Sequence, residues 1–508
     1  MTTLCATFFL STNLRQSSRC LFLCLLISAS IIPVCGQVTQ AAGIEIPLNP
    51  FDDASQYKVL SLREQGLLLT RPVSENPNDL LLLTALDTAF KMRWETQLSI
   101  PKFSQILRSQ LRNGSIYLLL KNRLEFSLIS IRVNDGRHSF TPLKNPFPFN
   151  ATEFSVTDDG VLVGGNYNQR PLVIYYNFGQ GKSKILPGFF NEVGELNQLK
   201  TYADGSIEAI VSASNFNKRK SLWIRTFDTE GNLTNTTLLE PEAKMNLISG
   251  KSFPEQDGRK VVLGSYGRYS DYARGIFSAE INREGKPTIV YHNFSELKKF
   301  FSYMSPRHEK RVMERIERRQ VKGKKIRNNF RYLVHEVIPY RDEYILLGEV
   351  YSIQYRYVGG STGFFGTPTR SQMIFDGYKY SHAVIAGFNH QGKLLWDNTF
   401  KIENVKTMSL EQFVKIEPMD DNKMDMLYVY ANSLRSKTIR ETDVIEGKST
   451  NPLYGSNPRN IEAEQTRLDY WYDGHLYASG ALWIKGPLMA DGNSISRRVF
   501  FISKIVCQ

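Results

Sequence analysis

The sequence predicts an all-β fold in which seven or eight small antiparallel sheets of four strands each pack radially about an axis, with one basic helical insertion. Three observations predict it. A Gly-centred turn followed by an apolar run returns along the chain at a near-constant interval. A second Gly-containing hairpin follows most copies of the first. The two ends of the chain carry complementary fragments of one such sheet. Two hairpins give four strands, and a sheet that small buries both faces only when copies stack around an axis.

The first unit is "LREQGLLLT" at Gly66, "LRNGSIYLLL" at Gly114, "VTDDGVLVGG" at Gly160, "YADGSIEAIV" at Gly205 and "EQDGRKVVLG" at Gly258. Weaker copies lie near Glu343, near Lys423 and at Gly474. Successive anchors are 48, 46, 45, 53, 85, 80 and 51 residues apart, and most intervals fit one four-stranded blade of a β-propeller. The second unit is "LISIRVNDGRHSF", "LWIRTFDTEGNLTNTTLL", "IFSAEINREGKPTIVYHNF" and "AVIAGFNHQGKLLWDNTF", where Gly supplies the positive φ of a short hairpin. Strands are expected at 464–470, 475–484 and 498–506, with no fourth, while "GIEIPL" at 43–48 has no turn unit of its own. The first strand is therefore expected to complete the last blade.

These hairpins resemble blades of secreted β-propeller repeat proteins, in the broad style of quinoprotein-like and tryptophan-aspartate-repeat propellers, over nearly all of residues 43–508. The resemblance implies an architecture and no particular activity. Trp396-Asp397 is a single occurrence, and five Trp without a period do not make the docking motifs of a quinone enzyme, so no cofactor is expected.

The two longest intervals point to insertions. Residues 292–328 lack alternation, are rich in helix formers and offer Ser305 as cap with Pro306 at the first helical position. Residues 358–381 read as a Gly-rich loop, and 445–462 as a further loop. Residues 1–36 read as a secretory signal: Arg15 and Arg19 precede the apolar run from Cys20 to Val34, which is too short to span a bilayer, and cleavage is placed after Gly36. Residues 37–508 then form a single propeller domain, periplasmic, cell-surface or extracellular, with no transmembrane helix. Four of the five Cys fall in the leader, which leaves Cys507 alone and no intrachain disulfide.

A composition of 42% hydrophobic, 22% charged and 12% aromatic residues excludes disordered, collagenous and polytopic membrane classes. Net charge is +13, and from Leu297 to Arg327 twelve Lys or Arg face three Glu. The body is nearly neutral, so the pI does not signal specific nucleic-acid binding. Arg311, Arg315, Arg318, Arg319, Lys322, Lys324 and Lys325 are the candidate contacts to an anionic envelope surface. Deleting 296–325 is expected to leave the fold intact.

Seven His show no metal-ligand spacing; "HEVIP" at His335 has Pro339 where a zinc motif needs a second His, and no metal is expected. "GGSTG" at 359–363 centres on Ser361, but "FFGTPT" cannot form the helix that a nucleophile elbow needs, so no catalytic residue is assigned. One aromatic constellation stands out: Tyr266, Tyr269, Asp271, Tyr272 and Arg274; Tyr351, Tyr355 and Tyr357; Asp376, Tyr378, Tyr380 and His382; and Trp471. Tyr offers rigid amphipathic contact area at low entropy cost. The reading is an exported binding or scaffold protein without its own catalysis, its ligand a protein or glycan. The alternatives are a carbohydrate-active hydrolase or lyase using carboxylates such as Asp271, Glu349 or Asp376, and an envelope-associated structural protein.

Overall fold

The computed structural model describes residues 39–507 apart from 50–51, 124, 145–147, 190–192, 215–218, 243, 255–257, 325, 327, 359–371, 420–421, 455–460 and 489–493. The leader, Ser361 and Lys325 therefore lie outside the described residues. Eight antiparallel sheets follow one another around a ring. Blades 1 to 7 run from Lys58 to Ile100, Gln105 to Leu143, Asn150 to Ile185, Gly194 to Leu239, Asn246 to Asn293, Arg331 to Lys401 and Lys415 to Pro452. Blade 8 combines Ile461–Tyr472, His475–Leu488 and Ser494–Val506 with the N-terminal strand Thr39–Leu48, whose residues 42–48 pair with 498–504. The chain thus closes its ring as the two ends predict, with eight blades.

In each of blades 1 to 7 the first strand is innermost and the fourth outermost; in blade 8 the strand from 39 to 48 takes the outer place. Second strands such as 160–167, 207–214 and 260–267 are buried almost throughout, because a neighbouring blade covers each face. That is why the Gly turns lead into unbroken apolar runs rather than alternating ones. Outer strands such as 182–185 and 233–239 are largely exposed.

Antiparallel order puts the connections from first to second and third to fourth strands on one face, and the remaining connections on the other. The first face holds the short turns of both sequence units. On it Asp228, Asn282 and Asn389 each accept bonds from the backbone N–H groups two and four residues on, with Gly231, Gly285 and Gly392 at positive φ. Asp87 makes the same two bonds, but Phe90 occupies the glycine's place at φ +61°, which hid this copy from the sequence.

The opposite face carries the insertions. Helix α1, Pro306–Val321, starts at Pro306 after Ser305 as predicted, although it is the Ser305 carbonyl rather than the hydroxyl that accepts from the first turn. Of the expected loop 358–381, residues 372–381 belong to a strand, since blade 6 is built on a long hairpin of Glu343–Val358 and Gln372–Asn389. Likewise 445–452 is strand, part of Asp443–Pro452. Among the described residues no helix is long and apolar enough to cross a membrane.

Candidate functional site

The predicted constellation divides by burial. Tyr266, Tyr380, His382 and Trp471 are 4%, 1%, 0% and 3% exposed and belong to the core. Tyr380 exchanges hydrogen bonds with the backbone of Glu411, and Trp471 Nε1 donates to the Gly66 carbonyl, so both rings tie neighbouring blades together. His382 lies flat against Tyr303 at 3.7 Å, and burial pushes its pKa down to about 3, so it stays neutral. Arg274 is also buried, its backbone pairing with Tyr266 and Phe294. These five residues pack the blades and do not face solvent: Tyr266 stands on a second strand, Tyr380 and His382 on the third strand of blade 6 and Trp471 on the inner strand of blade 8, and neighbouring elements cover each of them.

The others reach the insertion face. Tyr269 and Tyr272 bracket the exposed Asp271 in the turn between the middle strands of blade 5. Tyr355 and Tyr357 stand on the part of the blade 6 hairpin that outruns its blade, 53% and 73% exposed. Two residues link these groups. The Arg331 guanidinium lies 4.7 Å over the Tyr272 ring and bonds to Tyr351, whose ring meets Tyr378 edge-on at 5.6 Å. Phe375 continues the path between Tyr378 and Tyr355. Arg331 went unnoticed in the sequence because it opens an inner strand after a basic segment, where one more cation carries no signal.

The carboxylates do not converge. Glu349 is fully buried; it accepts from the backbone N–H groups of Phe413 and Val414 and sits 2.9 Å from His335 Nε2. It is a clasp between blades 6 and 7 rather than a group in the funnel. His335 and Glu336 lie at a bulge of the inner strand, which is what turns His335 toward Glu349. Asp376 pairs with Lys406 at 2.8 Å, which holds its carboxyl below the usual range, and Asp271 lies on blade 5.

A cleft of about 910 Å³ opens on the same face between blades 6, 7 and 8. The connection 402–414 forms one wall and the start of the blade 8 inner strand the other, with Lys406, Glu411, Lys415, Arg467 and Asp469 among its lining. Lys415 Nζ is 3.0 Å from Asp469 Oδ1. Glu411 meets solvent at the mouth, yet crowding in the wall and the nearby Asp469 raise its carboxyl, against Arg467. None of these was singled out in the sequence; the alternation Arg467, Leu468, Asp469 marks an inner strand, but nothing local says what it faces. Among the described residues no group of three or more His, Cys, Asp or Glu is placed to hold a metal.

Helix α1 presents Arg311, Arg315, Arg318, Arg319 and, just beyond its end, Lys322 and Lys324 on its exposed side. Val312, Met313 and Ile316 face the other way, onto a core shared by blades 5 and 6.

Neither a known protein family nor a curated protein matches the sequence. Among solved structures the chain is similar to the polysaccharide lyase Uly1, at 9% identity and a TM-score of 0.39 over 78% of this chain and 89% of that one. It is similar to the β-propeller domain of the Trilobed protease from Pyrococcus furiosus, at 11% identity and a TM-score of 0.35 over 78% and 98%. It is also similar to a prolyl endopeptidase, at 10% identity and a TM-score of 0.40 over 88% of this chain, and spans about half the length of that protein, 54%. At such identities and TM-scores none of these likenesses bears on activity.

Proposed function

We infer that the protein is an exported β-propeller binding protein whose insertion face takes a glycan or protein ligand. The observation that carries this reading is the exposure of Tyr355 and Tyr357 on a hairpin that projects beyond its blade, beside the cleft. Leaving large aromatic rings in water forgoes the stabilisation that burial gives, and such rings are the usual anchors of a binding surface. The basic side of α1 lies on the same face and would steer anionic partners toward it. Capture from envelope extract and a glycan panel tests the reading. The protein is expected to retain a ligand that the Tyr355→Ala, Tyr357→Ala double variant loses while melting normally; equal retention by both, or by neither, refutes it.

A second reading, a carbohydrate-active hydrolase or lyase, is favoured by two carboxyls, Glu411 and Asp469, lining one cleft, with that of Glu411 raised by burial and by the nearby Asp469. Turnover of any glycan that vanishes in Glu411→Gln with binding retained would support it.

A further inference from the structure

The cleft does not end at the face. Ser55, Gln465, Arg467 and Asp469 line both it and a second hollow of about 390 Å³, set between the inner strands of blades 8, 1 and 2 where the ring closes. Lys58 enters this hollow from blade 1 and Arg467 from blade 8, with Arg108 of blade 2 close to Lys58. Inner-strand bulges shape it: pairing slips between Ile106 and Arg108 and between Glu464 and Arg467. The Ile106 carbonyl receives Lys58 Nζ, and the Thr152 carbonyl receives Arg108 Nε at 3.1 Å.

Charge in the hollow is not balanced. Asp469 is held by Lys415. Among the described residues neither Lys58 nor Arg467 has a carboxylate within ion-pair distance. Cations gathered in a concave, partly dry site repel one another, and the arrangement is relieved when an anion enters. The same crowding is felt at Lys58, whose pKa falls to about 8 through burial and then Arg467 and Arg108. The rest of the lining includes Ser55, Ser109, Gln110 and Gln465, hydroxyl and amide groups that both donate and accept, as sugar hydroxyls do. The hollow and the cleft each lie in the size range of ligand sites, and together they have room for more than one ring.

We propose that this hollow seats the carboxylate or sulfate of an acidic saccharide, with Lys58 and Arg467 on the anion and adjoining sugar rings in the cleft. The proposal rests on the reading of the insertion face as a binding surface and names its ligand class. An acidic peptide would satisfy the cations equally, but its backbone would leave most of the hydroxyl and amide lining without a match.

Calorimetric titration of the whole protein tests it, using oligogalacturonate, a sulfated oligosaccharide, a neutral oligosaccharide of similar length and poly-glutamate in about 50 mM salt. Either or both acidic saccharides are expected to bind, which also tells carboxylate from sulfate, and the neutral one is not. Arg467→Gln and Lys58→Met should each weaken binding roughly tenfold or more. Arg467 is exposed on the cleft wall, so its variant carries the test even if Lys58→Met folds poorly. At about pH 8, near the Lys58 pKa, anion binding raises that pKa. Paired titrations in buffers of different ionisation enthalpy should therefore register proton uptake, and Lys58→Met should abolish it. The groups facing Lys58 are Arg108 on blade 2 and Arg467, Asp469 and Tyr477 on blade 8. Guanidinium groups do not titrate in proteins, and burial raises the Tyr477 hydroxyl well above its ordinary value, so uptake reports Lys58. The proposal is overturned if the neutral saccharide binds as tightly, if only poly-glutamate binds, if no acidic saccharide binds, or if binding survives both substitutions. If ligand capture is lost in the Tyr355, Tyr357 variant but unchanged in the Lys58 and Arg467 variants, the anion seat falls and the binding face stands.

Discussion

Gly392 marks the least forgiving kind of residue in this protein. Its φ is +73°, and an added Cβ would lie 3.1 Å from the Ser278 side chain of the preceding blade, so both backbone and space resist a substituent. Gly392→Ala is expected to cost about 1–2 kcal/mol in urea unfolding. Phe90 tolerates the same backbone region because its ring is buried against Trp471 at 5.5 Å, and packing offsets the strain. Titration at a second site should show in the pH dependence of stability. Asp425 is buried and its carboxyl is pushed up to about 6, chiefly by burial; Glu417 is raised to about 7 by burial and then by Asp425. Both hold protons in the folded chain at pH values where the unfolded chain, with carboxyl pKa values of 3.8 and 4.5, has already ionised. Their contribution to stability therefore falls as pH rises from about 4 to about 7. Asp425→Asn should flatten this fall, by roughly 1–2 kcal/mol between pH 5 and 7.5 in urea titrations. A steeper fall in the variant would contradict the assignment.

Among the elements, the basic insertion differs most from its sequence reading. Its charge invites treatment as a detachable excursion, and deletion of 296–325 is predicted to be harmless. The deletion would instead remove Leu297, Phe300, Phe301 and Ile316, which are 1%, 0%, 2% and 4% exposed in the core between blades 5 and 6. Burial of four such side chains stabilises by about 6–12 kcal/mol at most, comparable to the whole stability of a domain. The segment is further pinned where Asp397 accepts from the backbone N–H groups of Lys298 and Lys299. Phe300→Ala alone should cost about 3–5 kcal/mol, since the ring stacks on Phe294 at 4.3 Å and is enclosed on all sides. By contrast, Arg311→Gln, Arg315→Gln and Arg319→Gln together should leave the thermal midpoint within a few degrees while weakening any adhesion to anionic vesicles at low salt. Unfolding of this triple variant would mean that the exposed side of α1 also holds the fold.

For the whole ring, closure rests on ten residues from the start of the described chain, Thr39–Leu48. Removing them would bare the edge of 494–506, take Leu48 out of its cluster and uncover Phe500 and Ile502 there. A chain beginning at Phe51 is expected to melt roughly 10 °C lower and to self-associate in size-exclusion chromatography. Retention of the parent midpoint would show that the other seven blades hold the ring without this clasp. The hollow with Lys58 and Arg467 lies at that same junction, so an opened ring should lose the acidic-saccharide binding proposed above.

The sequence by itself determined the blade repeat, the ring closure and the start of α1. Those depend on local signals: Gly or Asn at positive φ, apolar runs on covered strands, and Pro306 after Ser305. It also placed Tyr269, Tyr272, Tyr355 and Tyr357 among surface candidates, since they follow strand ends. Tertiary structure alone decided that Tyr266, Tyr380, His382 and Trp471 are interior, because an aromatic at a strand end reads the same whether a neighbouring blade covers it or not. It alone brought Lys58 beside Arg467, about four hundred positions apart in the chain. No pattern of spacing encodes that meeting, which exists because radial packing joins the last blade to the first.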